Sequence, residues 1–322
     1  MAKVLITGTG KGIGLATALA LAKAGHTVYA TLRKPEAGRA LRDAVTTDGL
    51  PISIMTMDVD SQESVDAVTS VILAEAGCID VLVNNAGVVR AGSIEAVPLD
   101  DFKAAMETNY FGALRAIRAW LPHMRRQRRG CIINISSVAG RIACSPLAPY
   151  AASKFALEAL SEALAQEARP FNIRVAVVQP GIVDTALARQ IENIEADGAY
   201  SQVRRFGHLF GAALDTPTSP TVVAEKIREI IEDGSDTLRH PVGPDAQAFL
   251  GWRASMSDED WVAWGALADE AWYDRVNHDF GLDARAKQSA GSRSDGATAD
   301  LFGRGAVEGS APVNQSSQSL KR

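Results

Sequence analysis

Lys3-Val4-Leu5-Ile6-Thr7-Gly8-Thr9-Gly10-Lys11-Gly12-Ile13-Gly14 runs from a short apolar segment straight into a glycine-rich turn. The segment 14–25 that follows is rich in alanine and leucine and closes on glycine, as a helix does. A strand, a glycine turn and a helix in that order aim backbone N–H groups and a helix N-terminus at one point, where an anion is held. Glycine is required where a side chain would collide with phosphate or force a strained backbone. The spacing is Gly8-x-x-x-Gly12-x-Gly14, and its place directly after the first strand favours a dinucleotide cradle over an ordinary tight loop.

The same alternation continues outward. Apolar runs at 3–7, 27–32, 52–57, 79–83, 131–135, 173–178 and 237–241 read as strands. Segments 14–25, 61–76, 99–129, 150–168 and 221–233 carry helical spacing between them. Unbroken apolar strands separated by helices predict an α/β fold, a doubly wound parallel sheet of about seven strands in a single domain. Ligands in such a sheet bind at the carboxyl ends of the strands. Residues 1–283 form that expected domain. Within it, 185–220 lacks a firm period and carries Tyr200, Phe206, His208, Leu209 and Phe210, which suits a substrate lid. Residues 284–322 are rich in Ser, Gly, Ala and Gln and are expected to be a disordered tail.

Composition sets bounds. The 322 residues are 47% hydrophobic and 22% charged, ordinary for a soluble globular chain. A net charge of −5 argues against a nucleic-acid binder. Cys78, Cys131 and Cys144 show no metal-ligand spacing, so no metal is expected, and they suit a reducing compartment. The apolar start runs at once into the glycine turn and not into a signal-peptide core. No run approaches the roughly 18 apolar residues of a membrane span. A cytoplasmic location is expected.

Sheets that bind NAD usually place a carboxylate at the end of the second strand, to bond the ribose 2′-hydroxyl. Here Leu32 stands there, followed by Arg33, and Lys11 adds a second cation inside the turn. Two cations and no carboxylate suit a 2′-phosphate, so NADP(H) is expected. The plainer alternative is that Arg33 and Lys34 are solvated loop charges.

Tyr150 and Lys154 lie four apart on a helix and so share a face. A phenol of pKa near 10 is a poor base at neutral pH, but a neighbouring ammonium and a cationic nicotinamide both favour its phenolate. Such a tyrosine can pass a proton to a carbonyl oxygen or take one from an alcohol. Ser137, thirteen residues upstream and just past the fifth strand, reaches the same crevice and can bond the substrate oxygen. Ser136 competes for that role. Taken alone, the Tyr–Lys pair would be an ordinary helix-surface pair.

With these residues stand Asp58 after the third strand, Asn84-Asn85-Ala86-Gly87 after the fourth, Asn109 in the long helix and Pro180-Gly181 after the sixth. Together, over roughly residues 2–280, the chain resembles a short-chain dehydrogenase/reductase of the single-domain type, on a Rossmann fold. The resemblance implies Ser137, Tyr150, Lys154 and Asn109 as catalytic residues, with Asn109 holding a water that links Lys154 to solvent. It implies cofactor contacts from Gly8, Lys11, Gly12, Ile13, Gly14, Arg33, Asp58, Val59, Asn85, Ala86, Gly87, Tyr150, Lys154, Pro180, Gly181, Ile182 and Thr185. Asp58 would bond the adenine amino group, Lys154 the nicotinamide ribose, and Ile182 and Thr185 the carboxamide. Val28-Tyr29-Ala30-Thr31-Leu32-Arg33, the segment 152–158 and Thr237-Leu238-Arg239 are similar to the 17β-hydroxysteroid dehydrogenase type 1 and retinol dehydrogenase branch.

The implied activity is NADP(H)-dependent interconversion of a lipophilic secondary alcohol and ketone, steroid- or retinoid-like. Alternatives are a reductase of acyl-thioester or sugar carbonyls, and a non-catalytic NADP(H) sensor. The partners expected are a small-molecule substrate and further copies of the chain, as homodimer or homotetramer, with no nucleic acid and no membrane span. Arg125, Arg126, Arg128 and Arg129 read as cations complementing a helix C-terminus. His208 reads as a solvated loop residue. Trp252, Trp261, Trp264 and Trp272 read as packing or interface residues, or else as the wall of an apolar pocket.

Overall fold

Alternating side chains along the first strand divide the interior into two layers. The computed structural model describes residues 1–194 and 198–287. Strand β1 (Lys3–Ile6) turns Val4 and Ile6 to one face, where they pack with Leu21, Val28, Ala30 and Ile227. It turns Leu5 to the other face, against Ile72, Leu82, Ile117 and Trp120. Burial on both faces is what an unbroken apolar strand demands.

The remaining strands are β2 (Thr27–Leu32), β3 (Ile52–Thr56), β4 (Val81–Asn84), β5 (Gly130–Ile135), β6 (Ile173–Pro180) and β7 (Arg239–Val242). They form one parallel sheet in the order β3-β2-β1-β4-β5-β6-β7. The order reverses between β1 and β4, the place where a doubly wound sheet opens a ligand crevice. Expected and observed strand limits agree to within two residues at each end.

Helices α1 (Gly12–Lys23), α2 (Arg39–Asp48), α3 (Gln62–Ala76), α4 (Leu99–Met106), α5 (Ala113–Gln127), α6 (Ala148–Ala168), α7 (Ala186–Glu192), α8 (Ser201–Ala213) and α9 (Pro220–Asp233) surround the sheet, and α10 (Ala246–Ala254), α11 (Asp258–Gly265) and α12 (Asp269–Phe280) follow β7. The expected 99–129 helix is interrupted by a π-helical turn, Glu107–Gly112, which centres on Asn109. Such turns recur at functional sites.

The segment 185–220 is more regular than a loop, since α7 and α8 occupy most of it. Arg205 explains how α8 is held. Its guanidinium is buried, donates to the Gly265 and Leu267 carbonyls at 2.5 and 2.6 Å, and pairs with Asp269. His208 is not a solvated loop residue: it lies on α8, half-buried, with Nδ1 2.8 Å from the Tyr273 hydroxyl. The arginine cluster at the end of α5 is structural. Arg128 donates to the Pro170 carbonyl, Arg129 pairs with Asp80, and Arg125 lies over Phe171.

Ala284 is buried and Arg285 pairs with Asp274, so residues 284–287 belong with the folded body. The rest of the expected tail, 288–322, lies outside the described residues. No helix among the described residues is long and apolar enough to cross a membrane.

Candidate active site

The glycine turn is shaped by its neighbours. Gly8 and Gly12 have φ of +73° and +60°, backbone that L-residues rarely adopt. A β-carbon on Gly8 would lie 2.8 Å from the Ala86 Cα, and one on Gly14 would lie 2.4 Å from both the Asn85 Nδ2 and the Gly8 carbonyl oxygen. Asn85 fixes the turn from the end of β4, donating through Nδ2 to the Thr7 and Gly8 carbonyls at 2.8 and 3.0 Å. The Thr7 hydroxyl in turn accepts the Asn85 and Ala86 N–H groups. Asn85 therefore holds the cradle as well as lining it.

At the end of β2, Arg33 is exposed, with its guanidinium 4.0 Å from Asp60. Lys11, Arg33 and Lys34 face the same cleft. Open glycine backbone at a helix N-terminus, rimmed by three cations and no acceptor side chain from the end of β2, fits a dinucleotide carrying a 2′-phosphate.

The proton-handling residues converge on the strand ends. Ser137 follows β5 and its Oγ accepts the Ala139 N–H at 3.1 Å, capping a 3₁₀ turn. Proline at the start of α6 suits the first turn of a helix, and Tyr150 sits in that turn. Lys154, one turn on, donates from Nζ to the Ile135 carbonyl at 2.8 Å, and its Nζ lies 5.7 Å from the Tyr150 ring centre.

Burial sets the proton affinities. It pushes the Tyr150 phenol up to about 12, against a hydrogen bond from Ser137 that favours the phenolate. It pulls the Lys154 ammonium down to about 8, against the opposing charge of Glu158. Ser136 also reaches the cleft, but its hydroxyl is buried against Gly140 and finds no partner among the described residues, so Ser137 is the serine that bonds Tyr150.

Asn109 clamps the segment after β4. Its Oδ1 accepts the Val88 N–H at 2.8 Å, while Nδ2 donates to the Val88 carbonyl and to the Ser153 hydroxyl. Ser153 in turn donates to the Tyr150 carbonyl. The π-helical turn is thus tied to the first turn of α6.

One cavity of about 610 Å³ joins these parts. Gly8, Lys11, Gly12, Ile13, Arg33, Val59, Asn85, Ala86, Gly87, Ser137, Tyr150, Lys154, Pro180, Gly181, Ile182 and Thr185 all line it. Of the expected site residues, Gly14, Asp58 and Asn109 are not among those that line it. Asp58 accepts the Asp60 N–H at 3.1 Å, and Thr185 caps α7 by accepting the Ala188 N–H.

One part of the site escaped the sequence, and a second was there only as an alternative reading. Asp245, at the start of α10, accepts the Ile182 N–H at 2.7 Å and packs against Gly181, so it sets the Pro180-Gly181-Ile182 turn. Burial raises its carboxyl above the usual range. The Gly243-Pro244-Asp245 turn after β7 was the signal available for it. The second part is the far wall, built from Phe249, Trp252, Trp261, Trp264 and Phe280. Three of the tryptophans left open above line the cavity, and Trp272 packs behind them against Trp264 and Tyr273.

A model of the short chain dehydrogenases matches residues 2–196 of the chain. The chain is 41% identical over 182 residues to a 3-ketodihydrosphingosine reductase of Bacteroides thetaiotaomicron, a stretch that is 56% of this chain and 64% of that protein. The match thus spans less than two thirds of that relative's length. It is 40% identical over 185 residues to an NADPH-dependent pterin aldehyde reductase of Arabidopsis thaliana, covering 57% of this chain and 76% of that one. In structure it resembles a short-chain dehydrogenase from Streptomyces avermitilis, with a TM-score of 0.70 and 33% identity over 82% of this chain and 96% of that one. The family match, the sheet order, the glycine cradle and the Ser137, Tyr150 and Lys154 constellation agree: the chain belongs to the short-chain dehydrogenase/reductase family.

Proposed function

We propose that the chain is an NADP(H)-dependent oxidoreductase that interconverts a lipophilic secondary alcohol and its ketone, with Tyr150 as the acid and base. The observation that carries this is the single cavity that has the glycine cradle at one end, Tyr150, Ser137 and Lys154 in its middle and an apolar wall beyond. Bound NADPH supplies the hydride. The chain's own residues handle the rest.

Gly8, Gly12 and the α1 N-terminus hold the pyrophosphate, and Arg33 with Lys11 meets the 2′-phosphate. Tyr150, protonated at neutral pH because it is buried, donates its proton to the substrate oxygen. Ser137 bonds that oxygen and orients it between the two hydroxyls. Lys154 holds the cofactor ribose and keeps a positive charge beside the phenol, which eases proton departure. Asn109 keeps Val88 and the Tyr150 turn in register, and its place beside Gly87 and Lys154 suits a proton path to solvent.

The relative that acts on a pterin aldehyde is named as NADPH-dependent, which supports the choice of cofactor. A steroid- or retinoid-like substrate is the finer reading, supported by the apolar wall and the segments noted at 28–33 and 152–158. A homodimer or homotetramer is expected, and the exposed Phe111 and Phe155, on the long helix and the Tyr150 helix, support it. A cytoplasmic setting accords with three free thiols.

Arg33→Ala is expected to weaken NADPH binding by about tenfold and leave NADH binding unchanged. That is the low end for a hydrogen bond to a charged group, because Arg33 is more than half exposed. Equal losses for both cofactors in fluorescence titrations would show that Arg33 does not read the 2′-phosphate.

The reductive rate should also be flat through neutral pH and fall as pH rises past about 8, where Lys154 loses its proton. Tyr150 stays protonated throughout that range, so it does not set this limb. A kcat/KM profile that rises through pH 8 would contradict the assignment.

A further inference from the structure

The far wall of the cavity selects for more than apolar character. It lies on α10, α11 and α12, residues 246–280, beyond the 2–196 span that the family model matches. Trp252 meets Trp261, Trp264 and Phe280 at interplanar angles of 82°, 75° and 74°, with ring centres 4.8–5.6 Å apart. Phe249 meets Phe280 at 80°. Phe206 and Phe210 of α8 extend the aromatic lining from the other side.

These rings are braced from behind. Trp261 donates from Nε1 to the Ala143 carbonyl at 3.1 Å, and Arg253 lies over its ring. Trp264 stacks on Trp261 at 8°. The polar edge of Trp261 is therefore occupied, and the corner of rings is rigid. The ionisable groups that line the cavity are Lys11, Arg33 and Lys34 at the cofactor end, Tyr150 and Lys154 in the middle, and the Cys144 thiol; none belongs to α10, α11 or α12. Apart from indole N–H groups, of which that of Trp264 has no partner among the described residues, the side chains of this wall offer no hydrogen-bonding group, so a sugar or a phosphate-bearing carrier arm would bury most of its polar groups unpaired, which is costly.

We propose that the aromatic corner narrows the lipophilic substrate to an aryl ketone, or the matching alcohol, in place of a steroid- or retinoid-like one: its flat aromatic ring system seats against the Trp252 corner while its oxygen reaches Tyr150 and Ser137. The proposal rests on the reading of this cavity as a carbonyl site. A saturated ring of the same size gains the same apolar burial. Only an aromatic guest adds offset-stacked and edge-to-face contacts, because only it carries a quadrupole matching walls set near right angles. Each such contact is worth about 2- to 10-fold in affinity.

The test compares 2-acetonaphthone with 2-acetyldecalin, its saturated counterpart, by calorimetric binding to the NADP⁺-loaded enzyme, where neither ketone can be reduced. The naphthyl ketone should bind about tenfold more tightly than its counterpart. The gap should shrink to about twofold or less in Trp252→Leu and in Phe249→Leu, two separate substitutions that keep the wall apolar. Equal affinities, tighter binding of the decalin, or no binding of either overturns the proposal. NADPH consumption is recorded separately with a panel of lipophilic ketones. Turnover of that panel alongside equal affinities would leave the carbonyl-reductase reading standing while the aryl preference falls. Tight aromatic binding without turnover would instead strike the reductase reading alone.

Discussion

Replacing Tyr150 with phenylalanine is expected to lower turnover by about 10²- to 10⁴-fold, the range that a positioned general acid contributes. Cofactor affinity should hardly change. The ring would keep its packing among Leu147, Ile182 and Leu209, and only the hydroxyl is lost. The loss removes the proton donor, since the buried phenol is the group that carries a proton to the substrate oxygen at neutral pH. Steady-state rates paired with an NADPH titration check this. A variant that keeps more than a tenth of the activity would move the proton donor elsewhere, with Ser137 the next candidate.

Gly14→Ala is the second large effect. A β-carbon there meets the Asn85 Nδ2 and the Gly8 carbonyl oxygen, both at 2.4 Å. These are the two atoms that pin the cradle, because Asn85 donates to that carbonyl. Neither is the free end of a flexible chain, so the turn itself must shift. Overpacking of this kind costs about 1–3 kcal/mol. Expressed in binding, that is a loss of roughly 5- to 150-fold in NADPH affinity, accompanied by a lower melting temperature. Gly49→Ala serves as the control. Gly49 also has positive φ, but a β-carbon there meets nothing within 4 Å. It should cost some stability and leave NADPH affinity alone. If Gly14→Ala bound NADPH as tightly as the parent, the turn would not be the phosphate cradle.

Much of this fold was open to reading from the chain. Strands β1, β2, β4, β5 and β6 announce themselves because both faces are buried, which leaves unbroken runs such as Val4-Leu5-Ile6 and Cys131-Ile132-Ile133. β7 was harder: Arg239-His240-Pro241 is half-buried at the sheet edge, and its limits shift by two residues. Helix α2 went unread because it buries only Leu41 and begins without a side-chain cap.

The cradle and the Ser137, Tyr150 and Lys154 set were legible because backbone chemistry and proton transfer demand particular residue types at particular spacings. The far wall was legible only as one of two readings of its tryptophans. Helices α10 to α12 are short, and α11 has no buried residue to give it a period. Arg205 and Asp269 help bring these helices to the cavity by tying α8 to the α11–α12 junction, through contacts 60 to 64 residues apart in the chain. The same holds for Asp245, which meets Ile182 across 63 residues. Long-range pairings of this kind leave no local spacing to detect.

The central claim is that hydride reaches a lipophilic carbonyl in this cavity while Tyr150 supplies the proton. Its most direct measurement is the transfer of deuterium from NADPH carrying deuterium at both nicotinamide C4 positions to the carbinol carbon of 2-acetonaphthone, followed by mass spectrometry. The account predicts one deuterium in each alcohol molecule formed by the parent enzyme, and almost no labelled alcohol formed in the same time by Tyr150→Phe at saturating cofactor. NADPH bound tightly, with no label reaching this or any other lipophilic ketone, would contradict it.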